Sequence, residues 1–352
     1  MTSKTHGRRA ALLLAVLLAL ASTAVPLGGL DSARAAGKTT TISSTGAGDF
    51  FAAVRALRAG DTLRLSPGTY DIGRMKPPLS KGTPTQPIRI TAADPARPPV
   101  IRGYLIMEDA DYWTLTRVKM VASSPKEAAL KMAGGRGWAV TASEFSGAAA
   151  TQSFANVAID SNRYTNTPPT DWQFLFNCVH DASPRPAGSG AGYHNIYVVS
   201  SGGARGVIAR NTLFNAPAGS NIKVGTGADP NATGANGIRI ENNTMYNANN
   251  QVLLFGNIAG ISVRKNLFSY SQGNVKTGVY LSNLKHDGRL RVSTTENYGT
   301  RMSQSTFVLN SAAPTYVNRG NVLGTDPRVG PRCDRPTSRH GALTTHGRWA
   351  TR

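Results

Sequence analysis

Lys223, Tyr197 and Tyr280 each stand between two aliphatic residues in a short segment of the chain. Lysine, tyrosine and histidine can remove a carbon-bound proton beside a uronic-acid carboxylate, while a cation or amide donors stabilise the charge that develops. His194, three residues before Tyr197, adds another base of this kind. These four residues are therefore the predicted catalytic group for β-elimination from an acidic polysaccharide.

The alternation around these residues predicts strands that stack on one another. Residues 195–199, 221–225, 251–255 and 278–282 align so that one set of aliphatic side chains points into a core: Ile196, Ile222, Val252 and Val279. The neighbouring positions then form two outward columns. The first column, predicted to bind substrate through amides, contains Asn195, Asn221 and Gln251. The second contains Tyr197, Lys223, Leu253 and Tyr280, and rungs about 4.8 Å apart would let it follow a few sugar units.

Three variants of one phrase indicate the fold class. Residues 206–215, 237–247 and 260–269 read GVIARNTLFN, GIRIENNTMYN and GISVRKNLFS. Irregular spacing of about 20–30 residues with apolar–polar alternation is typical of β-solenoid coils. We therefore predict an all-β protein, a single-stranded right-handed parallel β-helix. A short helix from Asp49, with Phe50, Val54 and Leu57 on one stripe, is expected to cap its N-terminal end.

An asparagine follows each repeated strand. These residues are Asn211, Asn243, Asn266 and Asn297. A row of asparagines could bind a ligand, but stacked asparagines at turns more often hydrogen-bond the backbone and one another, and asparagine tolerates the left-handed conformation. We expect this row to be structural.

The period is lost between residues 168 and 195, where His180, Asp181 and Arg185 lie in a loop-rich stretch. Long excursions from a solenoid build the walls of grooves. These three residues are predicted to bind substrate, and the pair His180 and Asp181 also fits a general base or an ordinary loop contact. The alternative interpretation of Lys223 is a solvated surface charge without a catalytic role. The alternative interpretation of Tyr197 and Tyr280 is that they are ordinary exposed aromatic residues.

The two ends of the chain differ from its middle. Arg8 and Arg9 precede an apolar run too short to cross a bilayer, and an A-x-A site ends at Ala35. We expect residues 1–35 to be a signal peptide of the Sec or twin-arginine route, residues 36–328 a β-helix domain and residues 329–352 a flexible basic tail. The protein is then secreted and extracellular, without a membrane span. Cys178 and Cys333 allow one disulfide, with two unpaired thiols as the alternative.

The formal charge of +20 favours an acidic partner. The first 35 residues hold four basic residues and one acidic residue, which leaves about +17 for the remainder. Such a charge attracts a polyanionic glycan, less strongly as salt rises.

Export and the lack of a binding motif argue against nucleic acid, and no Cys/His motif for a metal is present. A hydrolase needs two carboxyl groups, and only Asp229 and Glu241 lie between residues 191 and 285.

Residues 59–70, AGDTLRLSPGTY, and residues 81–92, KGTPTQPIRITA, resemble the opening coils of the chondroitinase B and alginate lyase family. The resemblance implies a pectin-lyase-like β-helix and lyase chemistry on alginate, pectate or a glycosaminoglycan. It also implies Ca²⁺ as a possible cofactor.

In that family, acidic calcium ligands precede a catalytic lysine, and an arginine lies on the next coil. Here residues 219–227 read GSNIKVGTG without an acid, and Leu254 or Phe255 stands near the arginine position. None of the family's catalytic residues carries over, so a noncatalytic glycan or cell-wall binding module is the alternative to a lyase. Either protein is expected to be a monomer.

Overall fold

The structure is a computed structural model, which describes residues 37–44, 46–123, 127–147, 155–182, 193–199, 205–225, 235–271, 277–282, 284, 292–302, 307–310, 316–324 and 333. The signal peptide predicted over residues 1–35 lies outside the described residues, as does all of the predicted tail except Cys333. Within them the chain has one helix, α1 (Ala47–Ala56). The strands are β1 (Thr39–Ile42), β2 (Thr62–Leu65), β3 (Thr69–Met75), β4 (Ile88–Ala92), β5 (Val100–Glu108), β6 (Trp113–Thr116), β7 (Lys119–Val121), β8 (Leu130–Ala133), β9 (Ala139–Thr141), β10 (Glu144–Ser146), β11 (Ala155–Asp160), β12 (Gln173–Leu175), β13 (Cys178–His180), β14 (His194–Val198), β15 (Val207–Ala209), β16 (Thr212–Gly225), β17 (Arg239–Glu241), β18 (Thr244–Phe255), β19 (Ile261–Arg264), β20 (Leu267–Ser271), β21 (Thr277–Ser282), β22 (Val292–Thr295), β23 (Tyr298–Thr300), β24 (Val308–Asn310), β25 (Tyr316–Arg319) and β26 (Val322–Gly324).

All pairings between these strands are parallel, and they form two sheets in the described part of the chain. The first sheet has 11 strands, in the order β1-β2-β4-β6-β9-β12-β15-β17-β19-β22-β25. The second has 15 strands and divides into two faces, because the long strands β5, β16 and β18 each pair with two different strands on one side. We call face A the part that contains β7, β10, β13, β20, β23 and β26, and face B the part that contains β8, β11, β14, β21 and β24. The chain is therefore the predicted right-handed parallel β-helix.

Stacked aliphatic and aromatic side chains fill the interior of the coils. The predicted register is confirmed, since Ile196 pairs with Ile222, Ile222 with Val252, and Val252 with Val279, and all four are buried. Farther toward the N-terminus, Trp138 stacks on Trp172 of the next coil with ring centroids 5.2 Å apart. Burial of this continuous column of apolar surface is the main force that holds successive coils together.

Helix α1 covers the apolar end of the solenoid, as the sequence predicts. Phe50 and Val54 of α1 are buried, and Leu57 is buried just beyond its end. Phe50 packs on Tyr70 of β3, with ring centroids 5.9 Å apart. The helix begins two residues before Asp49 and ends at Ala56, because Leu57 has extended backbone dihedrals. Among the described helices, none has the length and apolar character needed to span a membrane.

A ladder of asparagines connects the turns between the first sheet and face A. Asn211 donates to Asn243 at 2.9 Å, Asn243 donates to Asn266 at 3.0 Å, and Asn266 donates to Asn297 at 2.9 Å. Each side chain also donates to a backbone carbonyl, so the predicted structural role is confirmed. The expected left-handed conformation lies one residue earlier. It is adopted by Arg210, Asn242, Lys265 and Glu296, with φ from 52° to 57°.

Cys178 and Cys333 form the disulfide that the sequence allows, with their Cα atoms 5.6 Å apart. Cys178 lies on β13 in the middle of face A, and Cys333 belongs to the segment after the last described coil. The bridge spans a sequence separation of 155 residues. It ties the segment around Cys333 to a central coil.

Candidate functional site

The predicted second column exists and runs along the outside of face B. Tyr197 pairs with Lys223, Lys223 with Leu253, and Leu253 with Tyr280. All four side chains are half-buried, while the residues on either side of them in each strand are buried. The tertiary structure therefore brings Tyr197, Lys223 and Tyr280 together on one outer surface. We call this row the Lys223 column.

Lys223 lies between two aromatic rings. Its Nζ is 4.4 Å from the ring centroid of Tyr197 and 5.5 Å from that of Phe255. Within the described residues, no ion pair joins Lys223 to a carboxylate. Burial lowers the pKa of the Lys223 ammonium below its ordinary value of 10.5. Burial also raises the pKa of the neighbouring Tyr197, and the negative charge of Asp160 adds to that shift. The pair therefore combines a lysine that loses its proton more readily with a tyrosine that keeps its proton.

The expectation that His194 acts as an exposed base is wrong. The side chain is buried, and its Nδ1 accepts a hydrogen bond from the backbone N–H of Ser220 at 2.9 Å. Burial lowers the pKa of His194 to about 3, and the charge of Lys223 contributes to the shift. The ring packs beside Tyr197 with centroids 5.5 Å apart. His194 is thus a neutral support beneath the column, without access to a polysaccharide.

The predicted first column is also wrong in its direction. Asn195, Asn221 and Gln251 are fully buried and point inward rather than outward. Asn195 donates to Asn221 at 2.7 Å, Asn221 donates to Gln251 at 2.6 Å, and each amide also donates to a backbone carbonyl of the following coil. The cause is the corner between faces A and B, where the backbone bends, as the shifted register between Ala216 and Ser220 shows. Strict alternation fails at that bend, so these amides form a second ladder and do not face a substrate.

His180 and Asp181 lie on face A, apart from the Lys223 column. The Nδ1 of His180 is 2.7 Å from Asp181, its Nε2 is 3.5 Å from Glu144, and its ring stacks on Phe214. Burial by itself lowers the pKa of His180, but the contacts with Glu144 and Asp181 outweigh it and raise the pKa above its ordinary value. Asp181 also accepts a hydrogen bond from Asn215 at 2.8 Å, which fixes the carboxylate in a turn. Arg185 lies outside the described residues.

Two groups of residues bear on metal binding. The ligand atoms of Cys178, His180 and Cys333 lie within 4.8 Å of one another, but both sulfurs are used in the disulfide. Ca²⁺ prefers six to eight oxygen ligands with several carboxylates. Strands β14, β16 and β18, which carry the centre of the Lys223 column, contain no aspartate or glutamate, and the amide oxygens of Asn221 and Gln251 accept bonds in the ladder. The described residues of this site therefore do not fit Ca²⁺.

The register of the column continues toward the N-terminus through residues that the sequence analysis missed; Lys131 is half-buried there, whereas Ala158 and Ile106 are buried. Tyr197 pairs with Ala158, Ala158 with Lys131, and Lys131 with Ile106. Lys131 forms an ion pair with Asp160 at 2.9 Å. The signal was present, because Lys131 also alternates with buried Leu130 and Met132. It could not be aligned from sequence, since the segments that separate β8, β11 and β14 differ in length.

No protein-family model and no curated protein sequence matches this chain. Among solved structures, XylC in complex with xylose is similar with a TM-score of 0.54 and 12% identity, over 81% of this chain and 70% of that one. An alginate lyase from Paenibacillus sp. str. FPU-7 has a TM-score of 0.40 and 15% identity, over 80% and 98% of the two chains. The pectate lyase Pel9A has a TM-score of 0.41 and 14% identity, over 81% and 80%. At these identities the likeness concerns the fold alone, which is the parallel β-helix described above.

Proposed function

We propose that this protein binds an acidic polysaccharide along the Lys223 column and cleaves it by β-elimination. The observation that carries the proposal is the half-buried lysine with a lowered pKa, placed 4.4 Å from the ring of Tyr197 on a solvent-facing strip. Without residues 1–35 the chain has a formal charge of about +17, which would concentrate such a polymer at its surface. Export to the extracellular space, where such polymers occur, is part of the same proposal and follows from the features of residues 1–35.

The chemistry divides between the two side chains. Neutral Lys223 takes the proton from the sugar carbon next to the carboxylate, and the electrons of that bond form a carbon–carbon double bond. The bond from the neighbouring carbon to the leaving glycosidic oxygen breaks, and Tyr197 donates its proton to that oxygen. Opposite pKa shifts suit these roles, because a base must be free of its proton at working pH and an acid must still hold one.

The direct test is incubation of the mature protein with alginate, pectate, chondroitin and hyaluronan. β-Elimination creates a double bond conjugated to a carboxylate, which absorbs ultraviolet light, whereas hydrolysis does not. We expect one of these polymers to produce the absorbance. Lys223→Ala should lower the rate by about 10²–10⁴-fold, the range of a general base, with Lys119→Ala on face A as the matched lysine control. A Lys223→Ala variant that keeps the full rate would contradict the assignment.

The pH profile gives a second readout of the same residue. Because the base must be neutral, the rate should rise with pH until the lowered pKa of Lys223 is passed, below 10.5. Lys223→Arg keeps the positive charge but cannot lose a proton in this range, so it should retain polymer binding and lose the rising limb.

A noncatalytic glycan or cell-wall binding module is the second candidate. It is favoured by the strands β16 and β18, which lack the acids and the arginine found at these places in the family that the opening coils resemble. Polymer binding that depends on Lys223, with no absorbance from any of the four polymers, would favour this module over the lyase.

A further inference from the structure

Tyr164 is an exposed aromatic residue beside the N-terminal part of face B. It keeps 64% of its surface accessible, the largest exposure among the large hydrophobic and aromatic side chains of the described residues. Most tyrosines of a folded protein bury much of the ring. An aromatic ring that stays exposed on an ordered loop offers a flat surface for a ligand.

The loop holds Tyr164 in one position. The backbone N–H of Tyr164 donates to Asn162 at 2.9 Å, and Asn162 in turn donates to Asp109 at 2.9 Å. The guanidinium of Arg163 donates to the hydroxyl of Tyr164 at 2.7 Å, and the Nζ of Lys76 lies 4.4 Å from the ring centroid. These contacts order the ring before any ligand arrives, which reduces the entropy lost on binding.

Lys76 and Asn162, which contact Tyr164, also line a cleft of about 420 Å³. The two lysines and the two acidic residues that line the cleft balance one another: Lys76, Lys81, Glu108 and Asp109. Arg163 forms no ion pair with a carboxylate of the described residues, so its positive charge is in excess. An aromatic ring, a cation and a polar cleft together suit a sugar that carries a carboxylate.

The register places this group in line with the Lys223 column. Met75 pairs with Leu105, so Lys76 is level with Ile106, from which the column runs through Lys131 to Lys223. Five rung spacings separate Lys76 from Lys223, or about 24 Å. If each sugar unit advances the polymer by about one rung, five or six units would connect the two places.

We propose that Tyr164, Arg163 and Lys76 form a distal subsite that binds a uronic-acid unit of the polymer cut at Lys223. The proposal rests on the proposed function for its ligand. The ring of the sugar packs on Tyr164, and its carboxylate pairs with Arg163. The subsite makes the protein selective for long chains, because only an oligomer of about six units or more can occupy both places at once.

The test compares oligosaccharides of increasing length, from trimer to octamer, prepared from the polymer that the protein binds. Dissociation constants are measured by calorimetry and kcat/KM by ultraviolet absorbance. Affinity should rise at about six units in the wild type. Tyr164→Ala should raise the dissociation constant of the octamer by about tenfold, equal to about 1.4 kcal/mol. The dissociation constant of the trimer should stay unchanged. Tyr164→Phe keeps the ring and should bind the octamer nearly as well as the wild type.

The outcomes separate the subsite from the catalytic proposal. If Tyr164→Ala binds the octamer as tightly as the wild type, the subsite is overturned, whether or not the polymer is cut. If length-dependent binding requires Tyr164 but no double bond forms, the subsite holds and the lyase assignment fails. Arg163→Gln should reduce the preference for the acidic octamer over a neutral one. An unchanged preference would show that Arg163 does not bind the carboxylate.

Discussion

Burial shifts the pKa of two ionisable side chains that contact Tyr197, those of Lys223 and His194. Lys223 is half-buried on the outer surface, while His194 is enclosed and stays neutral. Burial lowers the pKa of both side chains because transfer of a cation out of water is unfavourable. The same physical effect therefore suits Lys223 to the proposed role of a base and leaves His194 neutral and enclosed.

His194 should make the folded state sensitive to acid. Its pKa is about 3 when folded and about 6.5 when unfolded, so between these values the unfolded chain binds a proton that the folded chain does not. The free energy of unfolding should therefore decrease as pH falls from 6.5 toward 3, and this contribution amounts to about 2–3 kcal/mol at pH 4.5.

The measurement is urea unfolding of the wild type and of His194→Asn at pH 7 and pH 4.5. Asparagine can accept the hydrogen bond from the backbone N–H of Ser220 without titrating. The His194→Asn variant should therefore lose less stability on acidification than the wild type. Equal losses in the two proteins would show that His194 does not cause the sensitivity.

At the scale of elements, the turns depend on amide ladders. In the ladder next to face A, Asn243 accepts bonds from the backbone N–H and the side chain of Asn211, and donates to the carbonyl of Ile208. All of these groups are buried. The ladder thus satisfies the backbone where the chain leaves one sheet for the next.

Asn243→Ala should lower the free energy of unfolding by about 2–4 kcal/mol, because a buried N–H and a buried carbonyl each lose a partner. Asn321→Ala, at the partly exposed end of the same ladder, is the matched control and should cost less, since water can replace its bonds. Denaturant unfolding measures both. Equal effects would mean that burial does not determine the contribution of a ladder residue.

At the scale of the whole molecule, the disulfide closes a long loop. Residues 178 and 333 enclose half of the β-helix, and removal of the link frees the unfolded chain much more than the folded one. Cys333→Ser should lower the free energy of unfolding by about 2–4 kcal/mol. The reduced wild type should unfold at the same denaturant concentration as Cys333→Ser. A variant as stable as the oxidised protein would show that the bridge does not stabilise the fold.

The sequence was enough for the architecture and for one row of the site. Repeated phrases at irregular spacing predicted the parallel β-helix, and alternation within short strands placed Tyr197, Lys223 and Tyr280 on one outer column. Both inferences depend on local periodicity, which is a property of consecutive residues. The asparagines after the repeated strands could be assigned to a structural ladder for the same reason.

Only the tertiary structure decided what happens where the chain bends. At the corner between faces A and B the alternation breaks, which turns Asn195, Asn221 and Gln251 inward and encloses His194. The separation of His180 from the Lys223 column, and the contact of Tyr164 with Lys76, depend on which coils become neighbours across connecting segments of unequal length. Local sequence determines the direction of a side chain within a regular strand, whereas burial at a corner and contact between distant coils are determined by the packing of the whole solenoid.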